Sequence, residues 1–593
     1  MCGIVGYVGK KHCIDKIIEG LESLEYRGYD SAGIAYVKNK KVILKKAKGK
    51  INKLKEKINY NEESYLGIGH TRWATHGKPC KENSHPHKVG KITLVHNGII
   101  ENYEELKKEL SDYEFLSDTD SEVVAALIDK LYKKDNNMIN VLNKLQDYLI
   151  GSYALGIIVD NDKNLYAIRK DSPLIIGVSK DGNFIASDVP AILKYTNKYY
   201  LMLNNEYAVL NENNVTFYFD KEKQVKELLA FDGKKDAAIK ENYDHFMLKE
   251  IYEQPKVIMD TINEYLDNIQ TLNKKFKGFE KYTGIDIVGC GSAYHVGLVG
   301  GTLISKYGNI PVNSYIASEY RYNNHFYSKN HLIILISQSG ETADTLAALR
   351  KANDDGIDTL AIVNTVGSSI AREAGNVIYI KAGLEISVAT TKAYTCQLAI
   401  LSLIALYLGI KNNILDENKI EEYKKIGGLI KNILENVDEE KKIAKILSKS
   451  KDVFFLGRKI DYASCLEASL KLKEVSYIHS EAYAAGELKH GTISLIEENI
   501  PVISIITDDS IRLKTLSNVK EVCARGAYSI IISNKEILDK SIYNKLILIP
   551  KTSELIECIL VIVKCQLIAY YTAMYKGCYI DKPRNLAKSV TVE

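Results

Sequence analysis

The sequence holds no CxxC pair, and its ten cysteines are scattered along 593 residues. That pattern supports neither a zinc ribbon nor a disulfide framework. It suits a reducing compartment, so a cytoplasmic location is expected. A basic tail or long basic block is missing too. The net charge is only +4, from 79 basic and 75 acidic residues, which argues against nucleic-acid binding by bulk charge. No basic segment precedes the apolar residues 1–9 and no cleavage pattern follows them, so a secretory leader is not expected. Long apolar runs are scarce. The two strongest are CQLAILSLIALYLGI (396–410) and CILVIVKCQLIAYY (558–571). The first is short for a membrane span and Lys564 interrupts the second, so both are expected as buried helices and no membrane partner is expected. There is no cluster of metal ligands, no GxxxxGK[ST] loop, and GCGSAYHVG lacks the GxGxxG spacing. Neither a metal nor an organic cofactor is implied.

What is present is ordinary globular material, 46% hydrophobic and 26% charged, in a chain too long for one core. At roughly 100–200 residues per domain, three or four domains are expected. Up to about residue 220 the texture is mainly β. ITLVHNGII, SYALGIIVD, NLYAIRK, PLIIGVS and NFIASD are short apolar runs between Asn, Asp and Gly turns. Two helices interrupt them, one starting at NYEELKKEL and one at TDSEVVAALIDKLYKK, where Asp118 or Thr119 can cap and Glu122 sits in the first turn. Residues 221–245 turn charged and lose periodicity, which marks a linker.

The remainder alternates strand, turn and helix, the mark of parallel sheets covered by helices. It also repeats at an offset near 170. HLIILIS (331–337) aligns with PVISIIT (501–507), GIDTLAIVN (356–364) with GAYSIIISN (526–534), VIYI (377–380) with ILIP (547–550), and CQLAI (396–400) with CQLIA (565–569). Four matches in order argue for two copies of one α/β domain. Their first strands fall in IDIVGCGSAY (285–294) and DVFFLGRKIDY (452–462), each reaching Gly before a helix.

The opening MCGIVGYVG places a cysteine second. Once Met1 is removed, Cys2 carries a thiol and a free α-amine on one residue. That amine, with a reference pKa of roughly 7.7–8, can serve as a built-in base for the thiol. GHTRWATHG (69–77) adds Arg72 and the only tryptophan, Trp73. HNGIIEN (96–102) places Asn97-Gly98 after an apolar run, and SDTDSE (117–122) offers Asp120 at a helix start. Hydrolysis of glutamine needs such parts: a guanidinium for the α-carboxylate, a carboxylate for the α-ammonium, and amide plus backbone N–H donors for an oxyanion. Each has a blander reading, as a surface Arg, a core Trp, a hairpin turn and a helix cap. Their joint occurrence with Cys2 favours the chemical one.

MCGIVGY, YRGYDSAG (26–33), HTRWATHG, HPH (85–87) and VHNGIIEN closely resemble the class II glutamine amidotransferase domains of the N-terminal-nucleophile hydrolase fold. The resemblance implies a four-layer αββα sandwich over residues 2–220 with Cys2 as nucleophile, forming a γ-glutamyl thioester and releasing ammonia. By position it implies Arg72, Thr75, His76 and Asp120 as glutamine-binding residues and Asn97 with Gly98 as the oxyanion hole. Trp73 and Tyr29 correspond to residues that gate ammonia and close the site.

In ISQSGETADTL (336–346) an apolar strand runs through hydroxyl-bearing residues into a helix. Hydroxyls and backbone N–H groups at a helix start suit a phosphate dianion without any basic residue, although a plain capped helix reads the same way. Together with VGCGSAYHVG and the repeat, the segment resembles paired sugar isomerase (SIS) domains, which bind phosphosugars. These are expected as doubly wound parallel sheets over residues 246–418 and 440–580, followed by a catalytic tail, 581–593. LEASLKLKEVSYIHSEAYAAGELKHG (466–491) and DKPRNLAKSVTVE (581–593) extend the resemblance to the whole chain. They are similar to the isomerising glutamine–fructose-6-phosphate aminotransferases, which transfer the glutamine amide nitrogen to fructose 6-phosphate and make glucosamine 6-phosphate for the hexosamine pathway.

That resemblance implies Lys588 as a Schiff-base amine that makes pyridoxal phosphate unnecessary, Glu474 as proton carrier, Lys471 one helical turn before it, and His490 as the ring-opening group. In the family this histidine comes from a neighbouring subunit, so a homodimer is expected. Ser337, Gln338, Ser339 and Thr342 would hold the phosphate with Ser292 nearby, and Glu385 and Val388 would line the sugar site. Ala293 stands where the family often has a hydroxyl residue, so one side-chain contact to phosphate is absent. Two rivals remain: an amidotransferase acting on another phosphosugar, and a non-catalytic phosphosugar sensor. The presence of Cys2, Glu474 and Lys588 together speaks against both.

Overall fold

The computed structural model describes residues 2–25, 28–73, 77–231 and 240–591. The chain divides into two compact units, residues 1–238 with 587–593, and residues 239–586.

The first unit holds two antiparallel sheets. The strand Gly3–Gly9 lies inside an eight-stranded sheet, flanked by Gly182–Ala186 and Leu66–Arg72. The second sheet has seven strands, with Ile92–Ile100 between His87–Val89 and Gly151–Val159. Alternate residues of each sheet meet in a shared core, Ile4, Ile68 and Ile185 from one and Val95, Ile158 and Ala167 from the other. The helix Cys13–Ser23 covers the outer face of the first sheet, with Gly20 against Val5. The helices Asp120–Asp135 and Met138–Leu145 cover the second. The four layers are the expected αββα sandwich. Two short strands, Glu222–Gln224 and Leu229–Ala230, continue the sheets beyond residue 220. One is polar (EKQ) and the other only two residues long, so neither gave a strand signal.

Thr119 precedes the helix Asp120–Asp135 but makes no capping bond with its side chain. Its hydroxyl instead meets Ser117 at 2.9 Å and His87 Nε2 at 3.1 Å. The Glu122 carboxylate reaches back and accepts from the N–H groups of Leu116 and Ser117 at 3.1 and 2.6 Å. That is the favourable arrangement of an acid in the first turn.

The second unit carries two five-stranded parallel sheets of one topology. In the first the order is Val312–Ile316, Gly284–Gly289, His331–Ser337, Asp358–Val363 and Asn376–Tyr379. In the second it is His479–Ala484, Asp452–Gly457, Pro501–Ile506, Tyr528–Ser533 and Lys545–Leu548. The strands correspond one to one, as the sequence repeat requires. The helices Lys392–Lys411 and Glu554–Tyr575 are long and apolar enough to cross a membrane, yet their most apolar windows are 94% and 100% buried. They are the core helices of this unit and share one hydrophobic cluster with both sheets. Lys564 does not break its helix. It sits buried, with its ammonium 2.7 Å from Glu440 and 2.8 Å from the carbonyl of Ile433.

Candidate active sites

Cys2 leads directly into the strand Gly3–Gly9, whose pairing sets Gly3 opposite Thr71. This register brings the thiol to the backbone of Trp73, where Sγ accepts from the Trp73 N–H at 3.3 Å. Burial pushes the Cys2 thiol up, while the Trp73 N–H and the Arg72 guanidinium pull it back down. Arg72 ends its strand buried, and donates to the Gly77 carbonyl at 3.4 Å. Asn97 lies across the sandwich on Ile92–Ile100, and its Nδ2 donates to the Cys2 carbonyl at 2.9 Å. Gly98 follows at φ +135°, where an added Cβ would stand 2.0 Å from the Ser152 carbonyl oxygen. Only glycine fits there, and its N–H can be presented next to the Asn97 amide. Asp120 opens its helix buried, accepting from the Ile100 N–H at 3.0 Å and from the Ser121 hydroxyl at 3.2 Å. Cys2 and Asn97 are thus in contact, Gly98 follows Asn97 on the same strand, and Arg72 and Asp120 are buried on a neighbouring strand and at a helix start of the same unit. Trp73 is half-buried beside Cys2, and Tyr29 is half-buried in the same unit. Thr75 and His76 lie outside the described residues.

One member of this site was not anticipated. His70 Nε2 lies 3.0 Å from Asn97 Oδ1 and 3.0 Å from the His96 carbonyl oxygen. Both neighbours are acceptors, so Nε2 carries the proton, and the Asn97 oxygen is turned toward His70 while its NH2 faces Cys2. Burial holds the His70 pKa down at about 3, so the ring stays neutral. Alternation was the available signal: His70 and Arg72 are two apart on one strand and so share a face.

In the second unit, the strand His331–Ser337 delivers Ser337 to the start of the helix Ala343–Asp354. Ser337 Oγ accepts from the Gly340 N–H and meets the Thr342 hydroxyl, each at 3.0 Å. Ser339 Oγ accepts from the Glu341 N–H at 3.1 Å. Gly340 has φ +65°, and a Cβ there would stand 1.9 Å from Ser368 Oγ. The Gln338 carbonyl accepts from the Asn364 N–H at 3.2 Å, which ties the loop to the next strand. Ser292 is the first residue of the helix Ser292–Gly308. Hydroxyls and N–H groups thus converge at a helix start, the geometry that suits a phosphate.

The helix Ile460–Ser476 carries the acid–base candidates. Lys471 Nζ is 2.5 Å from Glu474 Oε2 and 3.5 Å from Glu467 Oε1, with Lys471 1% and Glu467 0% exposed. Burial works against the Lys471 charge, but Glu467 and Glu474 outweigh it and raise its pKa above the usual lysine value. The pair is no surface ion pair: it is a buried cation held between two carboxylates, with Glu474 the more open one. His295, from Ser292–Gly308, closes the row with Nδ1 2.8 Å from Glu467 Oε2. Glu467 and His295 were not singled out from the sequence, because only the packing of two distant helices makes them neighbours.

Glu385 is buried and caps a helix. Its carboxylate accepts from the N–H groups of Thr391 and Ala393 at 2.9 and 3.0 Å. The N–H of buried Val388 donates to the Asp581 carbonyl at 3.0 Å. His490 is exposed in the short 3-10 helix Glu487–His490. Lys588 is half-buried in the tail segment that groups with the first unit. Among the described residues, no group of three or more His, Cys, Asp or Glu side chains is arranged to hold a metal ion.

The SIS domain family profile matches residues 279–407 and 446–573, and the glutamine amidotransferase domain profile matches residues 70–194. A glutamine–fructose-6-phosphate aminotransferase (isomerizing) of Clostridium tetani is 49% identical over 619 residues, covering all of both chains. One from Methanosarcina mazei is 44% identical over 620 residues, again covering both. Among solved structures, the C-terminal domain of glucosamine-fructose-6-phosphate aminotransferase from Francisella tularensis matches 58% of this chain and 99% of its own. Its TM-score is 0.54 at 36% identity. Tagatose-6-phosphate ketose/aldose isomerase from Escherichia coli covers 57% of this chain and 95% of its own at TM-score 0.50 and 16% identity, a likeness of fold alone. With an amidotransferase domain, two SIS domains and full-length relatives of one kind, the chain belongs to the family of isomerizing glutamine–fructose-6-phosphate aminotransferases.

Proposed function

We propose that the chain converts L-glutamine and fructose 6-phosphate into L-glutamate and glucosamine 6-phosphate, and that the residues named above carry the reaction. The observation that supports this most is the pairing, in one chain, of Cys2 facing the Asn97 amide with a buried Lys471 braced between Glu467 and Glu474. The first is a hydrolytic site for an amide. The second is a proton-transfer site for a sugar.

In the first unit, Cys2 attacks the side-chain carbonyl of glutamine, with its own α-amine as base once Met1 is gone. Asn97 Nδ2 and the Gly98 N–H receive the oxyanion. Arg72 holds the α-carboxylate and Asp120 the α-ammonium, and Thr75 and His76 are assigned by the family resemblance as further glutamine-binding residues. Loss of ammonia leaves a thioester, which water hydrolyses to glutamate. Trp73 and Tyr29 control the release of ammonia.

In the second unit, Ser337, Gln338, Ser339, Thr342 and Ser292 take the phosphate, and Glu385 and Val388 border the sugar. His490 opens the ring. The Lys588 amine condenses with the C2 carbonyl and releases water, and ammonia then displaces the lysine amine to leave an imine nitrogen on C2. Glu474 then removes a proton from C1 and returns it to C2, and the Lys471 cation stabilises the negative charge that develops between these steps. Exposed His490 is assigned to the site of a partner subunit, which makes the working enzyme a homodimer. The cytoplasm is the proposed location. The proposed domain limits are 246–418 and 440–580 for the SIS pair and 581–593 for the catalytic tail. The proposed amidotransferase domain is 2–220 with a linker over 221–245, into which the two short strands Glu222–Gln224 and Leu229–Ala230 extend the sheets.

Separating the two half-reactions tests this assignment. Cys2→Ala is expected to release no glutamate from glutamine yet still isomerise the sugar phosphate or aminate it from concentrated ammonium. Glutamate release that persists in Cys2→Ala would refute the nucleophile.

A further inference from the structure

The two SIS copies share a topology, yet only the first has been given a ligand. Their cradles can be compared residue by residue. Gly289 and Gly457 end the equivalent strands and lie against the first turn of the following helix. A Cβ on Gly289 would stand 2.9 Å from the Ala293 carbonyl carbon, and one on Gly457 2.5 Å from that of Asp461. The residue before each helix has nearly the same unusual backbone, φ 54° and ψ −124° at Gly291, φ 50° and ψ −122° at Lys459. The second copy keeps this turn although a lysine must adopt it. These matches make Ala293 correspond to Asp461, and the strand pairings, Val288 opposite Leu335 and Leu456 opposite Ser504, make Ser337 correspond to Ile506 and Gln338 to Thr507.

The contents of the two cradles differ. In the first, Ala293 contributes no polar group, and the Ser337–Thr342 loop keeps its hydroxyls around the helix start. In the second, Asp461 is 3% exposed. Its carboxylate accepts from the Thr507 N–H at 2.9 Å, the Thr507 hydroxyl at 2.5 Å and the Asp508 N–H at 3.4 Å. These donors occupy the same place in the fold as the phosphate loop of the first copy. A carboxylate is a smaller anion than a phosphate and satisfies the same kind of donor. Beside it a cavity of about 260 Å³ remains, lined in part by Thr507, Asp509 and Lys551. Cations also remain nearby. Lys459 lies 3.5 Å from Asp508, and Lys535, Lys551 and Arg512 lie 2.7, 3.2 and 3.2 Å from Asp509.

We propose that Asp461 is a built-in anion that fills the phosphate cradle of the second SIS domain, so that the chain takes a phosphosugar in the first copy only. The ligand class excluded is the phosphate monoester. The residue that decides between the copies is the second of the helix, alanine in one and aspartate in the other. This rests on the reading that the Ser337–Thr342 loop holds phosphate. It gives Ala293 a meaning beyond a lost hydroxyl: the position must not carry a carboxylate.

Binding of fructose 6-phosphate by equilibrium dialysis to the full chain tests it in both directions. Wild type is expected to take one equivalent. Ala293→Asp should weaken that binding by about 100-fold or more, since it installs the competing anion, while Ala293→Asn, equal in size and uncharged, should weaken it far less. Asp461→Ala should add a second, weaker equivalent, displaceable by inorganic phosphate, and Asp461→Asn should not. Glutaminase activity should persist in all four variants. Undiminished binding in Ala293→Asp, equal loss in Ala293→Asn, or a folded Asp461→Ala that still takes one equivalent would each overturn the proposal. If Asp461→Ala fails to fold, the Ala293 pair decides. Wild type that takes no fructose 6-phosphate removes the phosphate reading, and this proposal with it.

Discussion

Replacing His70 with Phe keeps a planar ring and removes the donor that points Asn97 toward Cys2. The hydrogen bond at stake runs from the neutral Nε2–H to Asn97 Oδ1 at 3.0 Å, inside a fully buried layer. A neutral hydrogen bond of this kind is worth roughly 0.5–1.5 kcal/mol net. If that energy holds the amide in its donating orientation, its loss should lower the glutaminase kcat by about 2- to 13-fold. Removing the donor itself, in Asn97→Ala, should cost about 100- to 1,000-fold, the usual cost of one oxyanion contact. KM for glutamine should change little in either, because the contact strengthens in the transition state. The decisive variant is the double one. If His70 acts only by turning Asn97, then His70→Phe should have no further effect on kcat once Asn97 is alanine. The assay is glutamate release under steady-state conditions, with thermal melts to confirm the fold. A His70→Phe penalty of the same size in both backgrounds would refute the positioning role.

Further outcomes follow from the same geometry. His70, His85 and His87 are buried with pKa values held well below the ordinary 6.5 by burial, His70 at about 3. Their contribution to stability is full above pH 6.5 and is lost as pH falls, because the unfolded chain takes up protons that the folded chain refuses. At pH 5.5 the three together should cost the amidotransferase domain on the order of 4 kcal/mol relative to pH 8, read as a lower denaturant midpoint. An unchanged midpoint would contradict the burial of these rings. Gly98→Ala would set a Cβ 2.0 Å from a carbonyl oxygen at φ +135°, and should abolish glutaminase while sparing fructose 6-phosphate binding. Wild-type glutaminase activity in that variant would mean that the strand can shift. Lys588→Arg should keep glutaminase and lose glucosamine 6-phosphate, and borohydride should trap the sugar on Lys588 in wild type. An adduct on another lysine would reassign the imine.

The fold was readable where it rests on local pattern. The β-rich first third, the helix starting at Asp120 and the duplicated α/β half all follow from periodicity and repeat. Local pattern failed where strands are short and polar, as at Glu222–Gln224. Thr119 does stand at the cap position, but its hydroxyl serves contacts to Ser117 and His87 rather than a capping bond, and the Glu122 carboxylate binds the loop before the helix. Lys471 and Glu474 were visible as one turn of a helix, but their burial was not. It depends on Glu467 and on His295 from a helix some 170 positions away in sequence. Asp461 illustrates the same limit. In the sequence it is one acid after a glycine-ended strand, and only the backbone donors of Thr507 and Asp508 reveal an anion's place. Buried polar networks are assembled across the chain, and spacing alone carries no trace of them.

The account stands or falls on the path of one nitrogen atom. The enzyme, its intact mass checked for loss of Met1, should be given glutamine labelled with ¹⁵N in the amide, together with fructose 6-phosphate, and the products weighed by mass spectrometry. Labelled glucosamine 6-phosphate appearing in step with unlabelled glutamate is the expected result. Glutamate and free labelled ammonia without the amino sugar, from enzyme lacking Met1, would contradict it.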